Sequence, residues 1–283
     1  MSDTQANAET RTLQVPGARL HLEVRGIGPV LLLITGGPTD AGIFTDLATR
    51  LADRYTVVGY DQRGHSRSPL EGEPEDIPVA RHADDAAAIL AEVGAEPAFV
   101  YGSSGGGTIG LELVARHPEL VSTLVAHEAP VVELLPDAER WHAGFDDIYE
   151  TYRTEGVFPA MGKFGAMVEE GGPSYTEEMQ QIPPTAESEQ MMARMMGNFD
   201  LFLAHEIRQV GHYVPDIDRL RSASTRIVSA AGETSGEQAA RRAAIALAER
   251  LGIPVTYLPG GHGAWGADPQ EFADRLHEVL GGS

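Results

Sequence analysis

The stretch Ala98-Phe99-Val100-Tyr101-Gly102-Ser103-Ser104-Gly105-Gly106-Gly107-Thr108 decides how the rest of the chain is read. A short β-rich apolar run, Ala98–Tyr101, passes into a helical pattern over Thr108–Ala115 through residues that fit G-x-S-x-G, with Ser104 at the centre. A serine on so tight a strand-to-helix turn sits in a strained backbone conformation and leaves no room for side chains two positions to either side. Gly102 and Gly106 hold those two positions. The turn also sets Ser104 at a helix N-terminus, where backbone N–H groups and the helix dipole favour developing negative charge. A glycine-rich phosphate loop or a plain turn is the competing reading. No G-K-[ST] follows, and the acidity of the chain weighs against phosphate.

Outward from this turn the chain alternates strand and helix. Leu20–Val24 alternates and turns at Gly26–Gly28, and Val30–Ile34 is a continuous apolar run, the mark of a strand buried on both faces. A helix-like stretch around Ile43–Ala52 leads to a strand at Tyr55–Tyr60. Val79–Val93 reads as an amphipathic helix and Val121–Ala126 as a strand. This βαβα rhythm predicts an α/β fold with a mostly parallel sheet and helices on both faces. From Val131 to Asp218 the rhythm stops. That segment is rich in helix formers and carries seven of the eight methionines: Met161, Met167, Met179, Met191, Met192, Met195 and Met196. The rhythm returns with a strand at Arg226–Ala230, a helix over Gln238–Leu251, a strand at Val255–Leu258 and a helix over Gln270–Leu280. The expected organisation is a core of residues 1–130 and 219–283 interrupted by a helical insert, 131–218.

Composition sets limits on function. Of 283 residues 42% are hydrophobic and 22% charged, as in an ordinary globule. The formal net charge of −21 repels phosphate backbones and anionic lipid, so neither nucleic-acid nor membrane partners are expected. With no cysteine, disulfides, thiolate metal sites and a cysteine nucleophile are excluded. No cofactor and no metal is expected. Met1 to Thr10 has neither a basic nor an apolar region of the kind signal peptides carry, and the longest apolar run is far short of a membrane span, so a cytoplasmic location is expected.

Four motifs stand in a shared order: Thr35-Gly36-Gly37-Pro38 after the third strand, Asp61-Gln62-Arg63-Gly64-His65-Ser66-Arg67-Ser68 after the fourth, the turn at Ser104, and Gly260-Gly261-His262-Gly263 after the last strand. In these the chain resembles the α/β-hydrolase superfamily over nearly its whole length. The resemblance implies Ser104 as nucleophile, and a serine hydroxyl needs an adjacent base. His262 is the candidate, in a glycine-rich loop at the carboxyl end of the sheet, where ligand sites of such sheets form. His21, His82, His117, His205, His212 and His277 fall in strand or helix patterns and read as surface or packing residues, while His65 in a loop and His142 in the insert are possible substrate contacts.

The acid departs from the common pattern. In most relatives an Asp stands three residues after the glycine that ends the seventh strand, and Ser235 holds that place here. Glu233 is nearby on a solvated loop. Glu128 directly follows the apolar sixth strand, a costly place for a charge unless it is paired. Pairing with His262 would orient the ring, and Glu128 is favoured over Glu233, with a structural ion pair as the bland alternative. The oxyanion hole needs two N–H donors. Gly105 follows the nucleophile, and Gly37 is the candidate from the first loop, since Pro38 has no N–H.

Ser103-Ser104-Gly105, His127-Glu128 and Leu258-Pro259-Gly260-Gly261-His262 are similar to zearalenone-type lactonases, while Gly37-Pro38 and Asp61-Gln62-Arg63-Gly64 resemble proline iminopeptidases less fully. The expected substrate is a small, apolar, uncharged ester or lactone. An iminopeptidase-like aminopeptidase, a lyase and a binding protein on the same fold are the alternatives. The insert is expected to lie over Ser104 as a lid. Its methionines fall at helical spacing and read as packing or as a soft apolar surface; Trp141 reads as a pocket wall or a packing anchor.

Overall fold

The continuous apolar run becomes β3 (Val30–Ile34), whose last four residues are completely buried because both faces of the sheet are covered. The computed structural model describes residues 8–94, 96–174, 185–266 and 268–281. Met179 and the first seven residues, both weighed in the sequence, lie outside these. Eight strands form one sheet: β1 (Glu9–Val15), β2 (Ala18–Arg25), β3, β4 (Thr56–Tyr60), β5 (Ala98–Ser103), β6 (Val121–His127), β7 (Arg226–Gly232) and β8 (Thr256–Leu258). Their order is β1-β2-β4-β3-β5-β6-β7-β8. Pairing is parallel from β4 through β8 and antiparallel where β1 meets β2 and β2 meets β4.

β1 lies outside the strands expected from the sequence. Its residues, Glu-Thr-Arg-Thr-Leu-Gln-Val, are almost all exposed, so no apolar face marks them. An edge strand is held by its backbone ladder, here closed by a turn at Gly17 with φ +79°.

Helices cover both faces. In chain order these are a 3₁₀ turn (Ala41–Phe44) leading into α1 (Thr45–Leu51), then α2 (Val79–Val93) and α3 (Gly105–Arg116). Between β6 and β7 every regular element among the described residues is helical. These are α4 (Ala138–Glu155), α5 (Val157–Glu169), α6 (Ala186–Leu201), a π-helical turn (Phe202–Glu206), α7 (Ile207–Gly211) and α8 (Ile217–Ser222), after a 3₁₀ turn at Val132–Leu134. The chain closes with α9 (Ala239–Leu251) and α10 (Pro269–Leu280). One buried cluster joins α2, α3 and α9 to the sheet; a second joins α1 and α10 to its other face. Trp141, Phe145, Ile148, Phe202, Leu203 and Ile207 of the insert belong to the first cluster, so the insert shares the core of the sheet. Met191 and Met195 pack into the second cluster, whereas Met192 and Met196 are exposed, the division that helical spacing imposes. Among the described residues no helix is long and apolar enough to cross a membrane.

The π-helical turn carries Glu206 inward, where it meets two buried histidines. His65 Nε2 lies 2.9 Å and His82 Nε2 3.3 Å from its carboxylate. His65 Nδ1 faces the Thr39 carbonyl at 3.3 Å. Both ring nitrogens of His65 face acceptors, which requires the imidazolium. Burial alone would push the His65 pKa down, and the Glu206 carboxylate more than offsets it, so the value is raised; Glu206 is held well below its ordinary value, burial again being outweighed by His65 and His82. His65 therefore contributes stability that is complete below its ordinary value of 6.5 and is lost as pH rises through its higher folded value. Glu206 contributes stability that is complete above its ordinary value of 4.5 and is lost as pH falls through its lower folded value. Removing one partner leaves a buried charge, so Glu206→Gln is expected to cost about 3–5 kcal/mol between those two pH values. Urea unfolding across pH checks this: the difference between wild type and variant should shrink on the alkaline side, and a constant difference would mean that His65 is neutral.

Candidate active site

Ser104 sits at φ 54° and ψ −126°, between β5 and the first turn of α3. Such a conformation costs a residue with a side chain on the order of 1–3 kcal/mol and persists where surroundings enforce it. The enforcement is visible. The Ser104 N–H donates to the His127 carbonyl at 2.9 Å, and its carbonyl accepts from the Gly107 N–H at 2.8 Å. A Cβ on Gly102 would collide with the Gly106 carbonyl, and one on Gly106 with the carbonyls of Ile34 and Thr35. The two glycines flanking the turn are thus required by backbone approaching backbone, as expected from the sequence.

Glu128 leaves the end of β6 at φ 48° and is fully buried. Its N–H donates to the Ala230 carbonyl at 2.9 Å. One carboxylate oxygen accepts the Gly232 N–H at 2.8 Å; the other lies 2.6 Å from His262 Nδ1. A carboxylate only accepts, so Nδ1 carries the proton, and in the neutral ring Nε2 is left as an acceptor. Burial would raise the Glu128 pKa, but His262 outweighs it and, with smaller contributions from His127 and Ser235, holds it at about 2. Glu233 is exposed and makes its backbone bond to the Leu258 carbonyl. Ser235 is fully buried. The ring of His127, which the sequence offered only as a neighbour of Glu128, faces that of His262 at an interplanar angle of 24°, with centroids 6.4 Å apart. Its burial lowers its pKa to about 4 despite Glu128 beside it, so at neutral pH it is an uncharged plate behind His262.

The loop after β3 reaches the same place. Gly37 takes φ +59°, open to glycine, and a Cβ on Gly105 would lie 3.6 Å from the Gly37 nitrogen. The two candidate donors therefore flank Ser104 from opposite chain segments.

A cavity opens over Ser104 and His262 and divides into two lobes. The smaller, about 60 Å³, is walled by Trp141, Phe145, Phe164, Ile207 and Val210. The larger, about 410 Å³, runs between the loop after β3 and the insert, past Phe44, Met195, Phe199 and Trp265. Gly37, Ser104, Phe164, Val168 and His262 line both. Among the described residues, Glu169 is the one carboxylate on the wall of the larger lobe, and it accepts a hydrogen bond from Ser174. Trp141 is both wall and anchor: it is buried, and its Nε1 donates to Asp137 at 3.1 Å. Neither His65 nor His142 lines the cavity; His65 is held by Glu206, and the His142 ring lies 4.7 Å from that of His212, tilted by 31°. Phe164, Phe199 and Trp265 carried no signal in the sequence, since single aromatics mark cores as often as pockets. Among the described residues no cluster of three or more histidine, aspartate or glutamate side chains has the arrangement to hold a metal ion.

Known proteins share this fold. A family model described as alpha/beta hydrolase fold matches residues 29–200. Over 275 residues, 95% of each chain, the protein is 38% identical to the uncharacterized hydrolase YraK of Bacillus subtilis strain 168. Two solved structures share the fold: a hydrolase from Pseudomonas aeruginosa PA01, with TM-score 0.74, 20% identity and coverage of 96% of this chain and 98% of that one, and a thermophilic esterase from Thermogutta terrifontis, with TM-score 0.73, 20% identity and coverage of 97% and 98%. The eight-stranded sheet, the strained serine turn and these likenesses together place the chain in the α/β-hydrolase family.

Proposed function

We propose that this hydrolase cleaves a neutral, apolar carboxylic ester or lactone through an acyl-enzyme on Ser104. The observation that carries the reading is the buried Glu128 carboxylate 2.6 Å from His262 Nδ1, in a cavity that Ser104 also lines. In the first half-reaction His262 Nε2 takes the hydroxyl proton as Ser104 Oγ bonds to the substrate carbonyl carbon. The carbonyl oxygen becomes an oxyanion, bound by the N–H groups of Gly37 and Gly105. Collapse breaks the bond to the leaving alcohol, which receives the proton from His262. Water, deprotonated by His262, then attacks the acyl carbon; collapse breaks the bond to Ser104 Oγ, which takes the proton back from His262 as the acid leaves. Glu128 stays ionised throughout and stabilises the imidazolium that forms twice per cycle. Apolar walls on both lobes favour a substrate without charge, and their unequal volumes favour one bulky and one compact substituent about the carbonyl. The insert, residues 131–218, serves as the lid.

A panel of esters, lactones and amides, run beside fluorophosphonate labelling, tests this reading. Labelling at Ser104 with turnover of esters or lactones is expected; an unlabelled, inactive protein would refute it. Trp141→Ala is expected to widen the small lobe. One methylene more or less in an apolar pocket is worth roughly 10–200-fold. The ratio of kcat/KM for a branched ester over its short linear counterpart should rise by about tenfold or more. An unchanged ratio would leave Trp141 with packing alone.

A further inference from the structure

The donor assigned to Gly37 belongs to the Gly36–Gly37 peptide, and that peptide is held by side chains. The Gly36 carbonyl accepts from Thr39 Oγ1 at 2.8 Å. Fixing one end of a planar peptide fixes the N–H at the other. Thr39 is held in turn, since its own carbonyl faces His65 Nδ1 at 3.3 Å. The Thr35 carbonyl accepts from Gln62 Nε2 at 2.7 Å. Gln62 and His65 come from the loop after β4, part of the core. The Pro38 carbonyl is different: it accepts from Asn198 Nδ2 at 3.1 Å, and Asn198 lies on α6 of the insert.

Asn198 is buried, and each face of its amide is used. Nδ2 lies 3.0 Å from Ser66 Oγ as well as bonding Pro38, while Oδ1 accepts the Ser66 N–H at 2.7 Å and lies 3.3 Å from Ser66 Oγ. Ser66 is at φ 49°, a strained position for a residue with a side chain, and Asn198 pins it. One helix of the insert thus grips two core loops with a single amide. Arg194, one turn earlier, pairs with Asp40 at 2.5 Å, and Glu206, two turns later, holds His65. All three contacts fall on the loops that position Gly37.

We propose that Asn198 is a positioning residue that makes the oxyanion hole conditional on the seating of the insert. This rests on the serine-hydrolase reading. With α6 docked, the Pro38 carbonyl is tied down and the Thr39–Gly36 bond keeps the Gly37 N–H aimed at the developing charge. With α6 lifted, Pro38 loses that tie, Thr39 keeps only its contact with His65, and the Gly37 donor loses its aim. The acyl-enzyme therefore forms only under a closed insert.

The test compares wild type with Asn198→Asp, which keeps an acceptor for Ser66 but cannot donate to Pro38, and with Asn198→Ala, in case the carboxylate misfolds the loop. Thr39→Val removes the direct lock on Gly36. Tyr152→Phe, which deletes an exposed bond to Asp200 on the same helix, is the control. Three quantities are read well below the melting temperature of each variant: kcat/KM on the best ester, affinity for a trifluoromethyl ketone of matching shape, and affinity for the corresponding unreactive ether. The ketone adds Ser104 Oγ to its carbonyl carbon; the carbonyl π pair becomes an alkoxide and the serine proton passes to His262, so its affinity reports the oxyanion donors. Complete loss of an oxyanion donor costs about 10²–10³-fold, and a misaimed one less. The Asn198 variants should lose roughly 10–100-fold in kcat/KM and in ketone affinity together, Thr39→Val at least as much, with ether affinity within about twofold of wild type and Tyr152→Phe unchanged throughout. Loss of kcat/KM with ketone affinity intact, or parallel loss of ether affinity, would overturn the proposal, as would full activity in both Asn198 variants. Failure of the serine reading shows separately, as full activity in Ser104→Ala.

Discussion

Ser104→Ala is expected to lower kcat by on the order of 10⁴–10⁶ while leaving the fold intact, the size of loss that follows removal of a nucleophile from a serine-histidine-acid site. The stability half of this expectation comes from the turn. Its conformation is imposed by the bonds from Ser104 to His127 and Gly107 and by the glycines that let β3 and α3 approach, none of which involves the hydroxyl. Alanine bears the same Cβ and meets the same strain at φ 54°, so the unfolding free energy should change by less than about 1 kcal/mol. Circular dichroism and urea unfolding check the fold, and initial rates on the best ester check the chemistry. A folded Ser104→Ala protein with undiminished turnover would dismiss Ser104 as the nucleophile.

Glu128→Gln is expected to lower kcat by on the order of 10²–10⁴, against less than about tenfold for Glu233→Gln. The carboxylate accepts on both sides, from the Gly232 N–H and from His262 Nδ1. An amide has one oxygen. If it faces Gly232, its NH₂ group meets Nδ1 and forces the tautomer that places the proton on Nε2, the nitrogen needed to receive the Ser104 proton. If it faces His262, two N–H groups confront each other in a buried site, at a cost of about 1–3 kcal/mol. Acid cannot replace the mutation at accessible pH, because the Glu128 pKa is held at about 2. Its contribution to stability is complete above its ordinary value of 4.5 and is lost as pH falls through its folded value of about 2. Glu233 is solvated, and a solvated charge contributes little. Reversed results for the two variants would move the acid to the loop after β7.

Much of this site was readable because its requirements are local. The turn at Ser104 needs glycine at two set offsets, and Gly102 and Gly106 advertise it. A carboxylate directly after an apolar strand demands a partner, and Glu128 found His262. Other features left no local trace. β1 has no apolar face because it pairs only at an edge. Asn198 and Glu206 look like ordinary polar residues of a helix, and their value comes from partners 132 and 141 residues away.

The alternating α/β order, the serine turn and the candidate catalytic groups were legible along the chain, since each follows from steric and hydrophobic rules acting over a few residues. The tertiary structure alone decided which carboxylate meets His262, how the cavity divides, and which insert residues reach the Gly37 loop. Those outcomes depend on how strands distant in the chain stack side by side: β6 lies between β5 and β7, so Glu128 at its end faces the loops after both neighbours. No spacing along a single chain encodes that distance, because it is set when the buried faces of many elements find one packing together.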